Sequence, residues 1–309
     1  MTDQQKQELK KLVHGLVIFD APMRERTTLR IGGPAEALAL PSSSAGLSEL
    51  VGYLSAEEIP YLILGKGSNL LVKDGGIKGV VVDLSTAFSR VWLVEENGAD
   101  ALIEAQAGAQ NLKLNKLTME KGLAGLEFLC GIPGSVGGSL VMNAGTREGE
   151  MMDAVDSLTM MDRTGQVKTL PVEDLHFSYR HLQLPPGTIV LAGRFKVCRT
   201  DREHLQEKMT RILEHRRNSH PLDMASAGCV FRNPEGQAAG KIIEVLGLKG
   251  AMIGGAQVST MHANFIVNLG NATSSDFLEL IDTVREKVYQ ETGIELAMEL
   301  MVVGEDASC

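Results

Sequence analysis

Aromatic side chains are scarce: Phe, Trp and Tyr make up 4% of the 309 residues. Stacking on single-stranded nucleic acid needs such side chains. Positive charge is short as well. Thirty lysines and arginines face 39 aspartates and glutamates, a formal net charge of -9, so no nucleic-acid partner is expected. No run of about 18 uninterrupted apolar residues occurs, so no membrane span is expected. The opening residues, MTDQQKQELKKLVHGL, lack the apolar core of a secretory signal. The four cysteines, Cys130, Cys198, Cys229 and Cys309, form no CxxC pair and keep no metal-type spacing with a histidine. No metal site is expected, and thiols rather than disulfides point to a reducing cytoplasm.

Glycine is what the chain has in excess: 33 residues, against an average share of about 7%. At 309 residues the chain exceeds what one compact core usually serves, so two or three lobes are expected. PYLILGKGSNLLVKDGGIKGVVVDL (60–84) sets apolar runs at Tyr61–Leu64 and Val80–Leu84 around two glycine-rich turns, which reads as strand, loop, strand. ALIEAQAGAQ (101–110) and TIVLAGRFKVC (188–198) read as further strands. LCGIPGSVGGSLVMNAGTREG (129–149) carries six glycines, too many for an unbroken helix or strand. It predicts an ordered loop, or helix ends meeting loops.

Near residue 200 the pattern changes. Thr200 and Glu203 predict a capping box for a helix with Leu205, Met209, Ile212 and Leu213 on one face, ending near Pro221. Phe277, Ile281, Val284 and Val288 predict a second helix stopped by Gly293. ELMVVG (299–304) predicts a last strand. The mixture predicts an α+β fold, divided into residues 1–199, with an internal split near 85–90, and 200–309.

GKGSN (65–69) follows an apolar strand. Successive amides in such a loop form a concave anion site, and glycine lets a phosphate approach. It matches neither the Walker nor the Rossmann pattern, and a hairpin turn is the plain alternative. GIPGSVGG (131–138) is a second such loop; the pair together suggests a dinucleotide held by two subdomains. Arg180 in HFSYRHL (176–182) is either a carboxylate clamp or a surface arginine. His262 is either a ligand or a packed, hydrogen-bonded histidine. Cys229, in SAGCVFRNP (226–234), is either a small buried hydrophobe or a thiol placed for chemistry.

Taken in order, TTLRIGGPA (27–35), LGKGSNLLV (64–72), GIPGSVGGSLVMNAG (131–145), FSYR (177–180), SAGCVFRNP (226–234), GLKGAMIGGAQVSTMHANFIVN (247–268) and GIEL (293–296) resemble the UDP-N-acetylenolpyruvoylglucosamine reductases. The likeness spans roughly residues 15–304 and is to the shorter subtype. It implies a two-subdomain FAD-binding portion in 1–199, similar to vanillyl-alcohol-oxidase-type flavoproteins. A C-terminal α+β substrate domain in 200–309 would follow, with its final strand carrying Glu299. The implied activity is NADPH-dependent reduction of a UDP-N-acetylglucosamine enolpyruvate through non-covalent FAD, in cell-wall precursor synthesis. The implied setting is cytoplasmic, with a small nucleotide-sugar substrate and no obligate protein partner.

The resemblance also implies site residues. Cys229 is the proton donor, Arg180 supports the substrate carboxylate and Glu299 assists the enolate. FAD would meet Leu64, Gly65, Lys66, Gly67, Ser68, Asn69 and Leu70, then Ile132, Pro133, Gly134, Ser135 and Gly138, and also Asn143, Gly145 and Arg180. Substrate would meet Tyr179, Arg216, Arg217, Asn233, Gln257, His262 and Asn264. Cys130, Cys198 and Cys309 are given no chemical role. The chain departs from the family pattern in three places. Ser219 stands where a lysine is usual, with Arg216 or Arg217 as a substitute charge. NAGTREGE (143–150) replaces NAGAYGGE, and Met301 stands where an arginine is common. Two rivals are an oxidase of similar fold and a nucleotide-sugar sensor without catalysis.

Overall fold

The computed structural model describes residues 1–307; Cys309 lies outside the described residues. The chain forms two compact units, each built from separate stretches. One comprises Met1–Ile18, Ala37–Lys66 and Gly79–Glu214; the other comprises Phe19–Glu36, Gly67–Lys78 and the chain from His215 onward. Compactness therefore does not follow a linear cut at 199/200. Two early segments group with the C-terminal part, and the chain leaves the first unit inside the helix Arg202–Ser219. Strands and helices intermix throughout, as an α+β fold requires.

The first unit is organised by a sheet in the order Val167–Pro171, Val155–Met161, Ile189–Arg199, Asp100–Gln106, Val91–Asn97, with Leu123–Ala124 beside Ile189–Arg199. The main ladders are antiparallel. Along Asp100–Gln106, Ala101, Ile103 and Ala105 are buried and their neighbours are not, the period-2 signature of one covered face. Leu114 from the helix Asn111–Lys121 and Val136 and Leu140 from the helix Val136–Val141 pack into that face with Phe195. The glycine-dense stretch 129–149 thus holds a short helix between loops. Tyr61–Leu64 and Ile77–Asp83 run parallel, with Tyr61 opposite Val80. The strand that directly follows GKGSN, Leu70–Val72, belongs to a different sheet from Tyr61–Leu64, so the loop does not close a hairpin.

The helix Arg202–Ser219 begins as expected but is capped differently. The Asp201 carboxylate accepts from the His204 amide at 2.9 Å; Thr200 and Glu203 do not form the box. Leu205 and Met209 bury against Cys130, and Ile212 packs beside them, whereas Leu213 is exposed. The Cys130 thiol donates to the Met209 carbonyl, so this cysteine is part of the packing.

The second unit carries the sheet Ala225–Cys229, Phe265–Asn268, Ala256–Val258, Met252–Ile253. The helix Ser274–Thr292 covers it with Phe277, Leu280, Ile281, Val284 and Val288, and ends at Gly293 with φ 71°. Its N-terminus has two caps. Thr273 accepts from the Asp276 amide at 3.0 Å, and the Asp74 carboxylate accepts from the Ser274 amide at 3.0 Å. The strand Met301–Val303 runs parallel to Leu70–Val72. Glu299 lies two residues ahead of that strand rather than on it.

Phe277 has no exposed surface in this unit. Phe277→Ala is expected to cost about 3–5 kcal/mol. Urea unfolding should show a lower midpoint with an unchanged slope; a midpoint equal to that of the parent would mean the site collapses without loss.

Candidate active site

In the first unit the two glycine loops meet. Leu64 is buried at the end of its strand, and Gly65 follows. A Cβ on Gly65 would run into Ser135 Oγ, so any larger residue there must displace the serine hydroxyl. Ser135 caps the helix Val136–Val141, its hydroxyl accepting from the Gly138 amide at 3.3 Å. The amides of Val136 and Gly137 donate to the carbonyls of Ala109 and Ala107, each at 2.8 Å. The first helical amides are therefore engaged inside the protein. The surface offered outward is mostly backbone, at exposed Gly131, Pro133 and Gly138 and at half-buried Gly134, with Ile132 anchored on the core and Lys66 exposed nearby in sequence to Gly65. Small residues let a dinucleotide lie close against the backbone and Lys66 supplies a cation, so these residues fit FAD.

Asn143 and Arg180 form the next layer of this unit. Asn143 is fully buried, with φ 39°. Its Nδ2 donates to Glu150 Oε1 at 2.7 Å and to the Ser178 carbonyl at 3.2 Å, and its Oδ1 accepts from the Met152 amide at 3.1 Å. Its amide thus organises the surrounding chain. Arg180 Nη2 donates to the Gly145 carbonyl at 2.8 Å and Nη1 to the Asn143 carbonyl at 3.4 Å. The guanidinium also lies 4.7 Å from the centroid of the exposed Tyr179 ring. Arg180 is oriented from three sides, unlike a loose surface arginine. The NAGTREGE departure closes the Gly145–Thr146 and Gly149–Glu150 hairpin, with Thr146 Oγ1 accepting from the Glu148 amide at 3.1 Å.

In the second unit a bulge precedes Cys229. The pairing register shifts between Ser226 and Cys229, and Gly228 has φ 79°. Such a bulge re-aims the side chain that follows it. Cys229 is half-buried. Val230 next to it is gripped on both edges: its amide donates to the Asn264 carbonyl at 2.8 Å, and its carbonyl accepts from the Glu299 amide at 2.8 Å. Asn264, buried, spends both ends of its amide on Phe231: Oδ1 accepts from the Phe231 amide at 3.0 Å and Nδ2 donates to its carbonyl at 2.8 Å. Asn264 is thus a backbone clasp rather than a side chain turned to a ligand. Cys229 and Glu299 come together here, on adjacent backbone segments. Thr28, which the sequence did not single out, ties the loop to this sheet. Its hydroxyl donates to the Ser226 carbonyl at 2.7 Å and lies 3.3 Å from that of Gly67.

Two family models match the chain: an FAD binding domain over residues 35–171 and a UDP-N-acetylenolpyruvoylglucosamine reductase C-terminal domain over residues 220–303. A reductase of that name from Geotalea uraniireducens is 42% identical over 306 residues, covering 99% of this chain and all of its own. The chain belongs to the UDP-N-acetylenolpyruvoylglucosamine reductase family. The homologue from Syntrophus aciditrophicus is 41% identical over 97% of this chain and 96% of its own. The crystal structure of the Thermus caldophilus reductase is 37% identical, with a TM-score of 0.79 over 93% of this chain and 98% of that one.

The remaining expected residues divide. Asn233 Oδ1 accepts from the Ala239 amide at 3.0 Å, at the start of the helix Ala239–Val245, and Gln257 Nε2 donates to the Gly250 carbonyl at 3.4 Å. Arg217 is exposed and Arg216 half-buried on the last turns of their helix. Ser219 Oγ donates to the His215 carbonyl at 2.7 Å and sits 2.8 Å from His220 Nδ1. With the hydroxyl proton so engaged, His220 Nδ1 is the donor. His220 packs on His262 and Phe265, with ring centroids 5.2 Å away in each case. His262 Nδ1 accepts from the Asn264 amide at 3.2 Å, which is the packed, hydrogen-bonded reading of that residue. Burial, then the Arg216 charge and the neighbouring histidines, push His220 down to about 4; burial, then Lys249, also lowers His262. Both rings are neutral at pH 7. His220 was invisible in sequence, since a lone histidine after a serine carries no signature.

The unfolded His220 imidazole titrates near 6.5 and the folded one near 4. The unfolded chain thus binds a proton first, and stability is lost as pH falls from 6.5 toward 4. His220→Gln should flatten part of the fall in melting temperature across that window; an unchanged profile would remove His220 as a source of it. At the loops, Gly65→Ala is expected to push Ser135 off its cap. It should release more flavin on gel filtration than Ser135→Ala, which loses only the cap, about 1 kcal/mol. Equal flavin retention in the two would show that the approach of the loops does not matter for loading.

Proposed function

We propose that the chain reduces UDP-N-acetylglucosamine enolpyruvate to UDP-N-acetylmuramate, with FAD bound non-covalently and NADPH as reductant, for cell-wall precursor synthesis. The observation that carries this reading is the shared backbone node of Cys229 and Glu299, in a chain alike over 99% of its length to a reductase of that name. Residues 1–199 are assigned to the flavin and 200–309 to the substrate. The family matches over 35–171 and 220–303 support that assignment. No helix among the described residues is long and apolar enough to cross a membrane, and we assign the reaction to the cytoplasm, where nucleotide sugars are made.

When bound, FAD would supply a hydride, drawn from NADPH, for the terminal carbon of the enolpyruvyl double bond. The substrate then bears negative charge on the neighbouring carbon and its carboxylate. Arg180 is assigned to that carboxylate, because a guanidinium already oriented by backbone carbonyls need not reorganise as charge develops. Cys229 gives its proton to the carbon; the sulfur is left as thiolate and regains a proton from solvent. A thiol, with an ordinary pKa near 8.5, releases a proton far more readily than an alcohol. Glu299 is assigned to the enolate, sharing a proton with it. Gly65, Lys66 and loop residues 131–138 would hold the cofactor, while Asn143 and Gly145 set Arg180 through their carbonyls.

Anaerobic absorption spectra test the reading. Flavin bands should bleach with NADPH and return with the enolpyruvyl sugar; bands that return only with oxygen would favour an oxidase, and absence of flavin after reconstitution would favour a sensor. Cys229→Ser should keep substantial turnover. Cys229→Ala should bleach normally but reoxidise roughly 100-fold or more slowly, the usual loss when a general acid is removed. Normal reoxidation would reduce Cys229 to a packing role.

A further inference from the structure

The expectation for Asn69 is cofactor contact, as the last polar residue of GKGSN. Its side chain does something else in the second unit: Nδ2 donates to the Glu299 carbonyl at 3.0 Å. Its own carbonyl accepts from the Met301 amide at 3.1 Å. The two bonds straddle Leu300, which is buried in the core beneath. On the other side, the Glu299 amide is held by the Val230 carbonyl at 2.8 Å. Both peptide groups of Glu299 are therefore fixed, one by the strand next to Cys229 and one by the glycine loop.

We infer that Asn69 is a positioning residue for Glu299, setting its backbone in register with the loop, rather than a ligand of the cofactor. The inference rests on the role proposed above for Glu299. The reason is mechanical. The parallel pairing of Leu70–Val72 with Met301–Val303 begins one residue later and aligns Met301 by itself. The pairs of that ladder start at Met301; the Asn69 amide reaches back to Glu299. A misplacement of about 1 Å in a reacting group costs up to roughly 100-fold in rate. A single side-chain hydrogen bond is thus enough to matter for chemistry while adding little to stability.

Asn69→Ala removes this contact, while the backbone carbonyl that serves Met301 stays. The variant should retain FAD, and NADPH should reduce it at the parent rate. Reoxidation by the enolpyruvyl sugar should slow about 10- to 100-fold. Independently of activity, amide exchange at Glu299 and Leu300 should accelerate. The decisive measurement is the cycle with Glu299→Gln: if Asn69 acts through Glu299, adding Asn69→Ala to Glu299→Gln slows reoxidation no further. Multiplying effects, unchanged exchange, or loss of FAD from Asn69→Ala would each overturn the inference. If the alanine variant does not fold, Asn69→Asp, which keeps the size and removes the donor, repeats the cycle under the same criteria. A Glu299→Gln enzyme that reoxidises at the parent rate, with exchange still altered in Asn69→Ala, would instead locate the fault in the role given to Glu299.

Discussion

The peptide of Val230 is the contact on which the C-terminal chemistry depends. One edge of the segment 229–232 is clasped by Asn264, and the other receives the amide of Glu299, while the Arg232 amide donates to the Ala297 carbonyl at 2.8 Å. A segment held by hydrogen bonds from two directions cannot slide, so the strand Ala225–Cys229 that leads into it keeps its register. Cys229 is the first residue of that segment and follows a bulge with a left-handed glycine. The thiol is thereby set by backbone bonds on residues that take no part in the reaction.

Polar groups in the interior of this protein mostly serve the same end. Asn143, Asn264 and Asn268 are buried, and each bonds backbone groups: Asn268 Nδ2 donates to the Leu29 carbonyl at 2.9 Å, and its Oδ1 accepts from the Gly270 amide at 2.7 Å. A buried amide left unsatisfied costs on the order of 1–3 kcal/mol, so each of these side chains specifies one local arrangement and penalises others. The neutral His220 and His262 pair follows the same logic with aromatic packing.

Much of the architecture was legible in the chain. The helix Ser274–Thr292 announced itself through apolar spacing and Gly293, and the strands at 61–64, 101–106 and 189–198 through short apolar runs. The glycine loops and FSYR were legible as motifs, because their residue types are dictated by close approach and by charge. Other features were not. Thr200 and Asp201 are both fit to cap a helix, and only the path of the chain chose Asp201. Leu213 has the right spacing for a buried face, but that face has turned outward by then. The parallel pairing of Tyr61–Leu64 with Ile77–Asp83 depends on a crossover that no local pattern encodes.

What the sequence by itself determined is the inventory: an α+β protein, two glycine-dense loops, a thiol, a guanidinium and a carboxylate in a chain that resembles one reductase family. These follow from residue chemistry and from periods a few residues long. What only the tertiary structure decided is employment. Asn69 and Glu299 are 230 positions apart and share a hydrogen bond. Thr28 and Ser226 are 198 apart and share another. Asn264, eligible in sequence as a ligand, proves to be a clasp for Phe231. Long-range pairing of backbone groups makes these assignments. Every backbone amide and carbonyl is chemically alike, so the sequence holds no local mark of which two will meet.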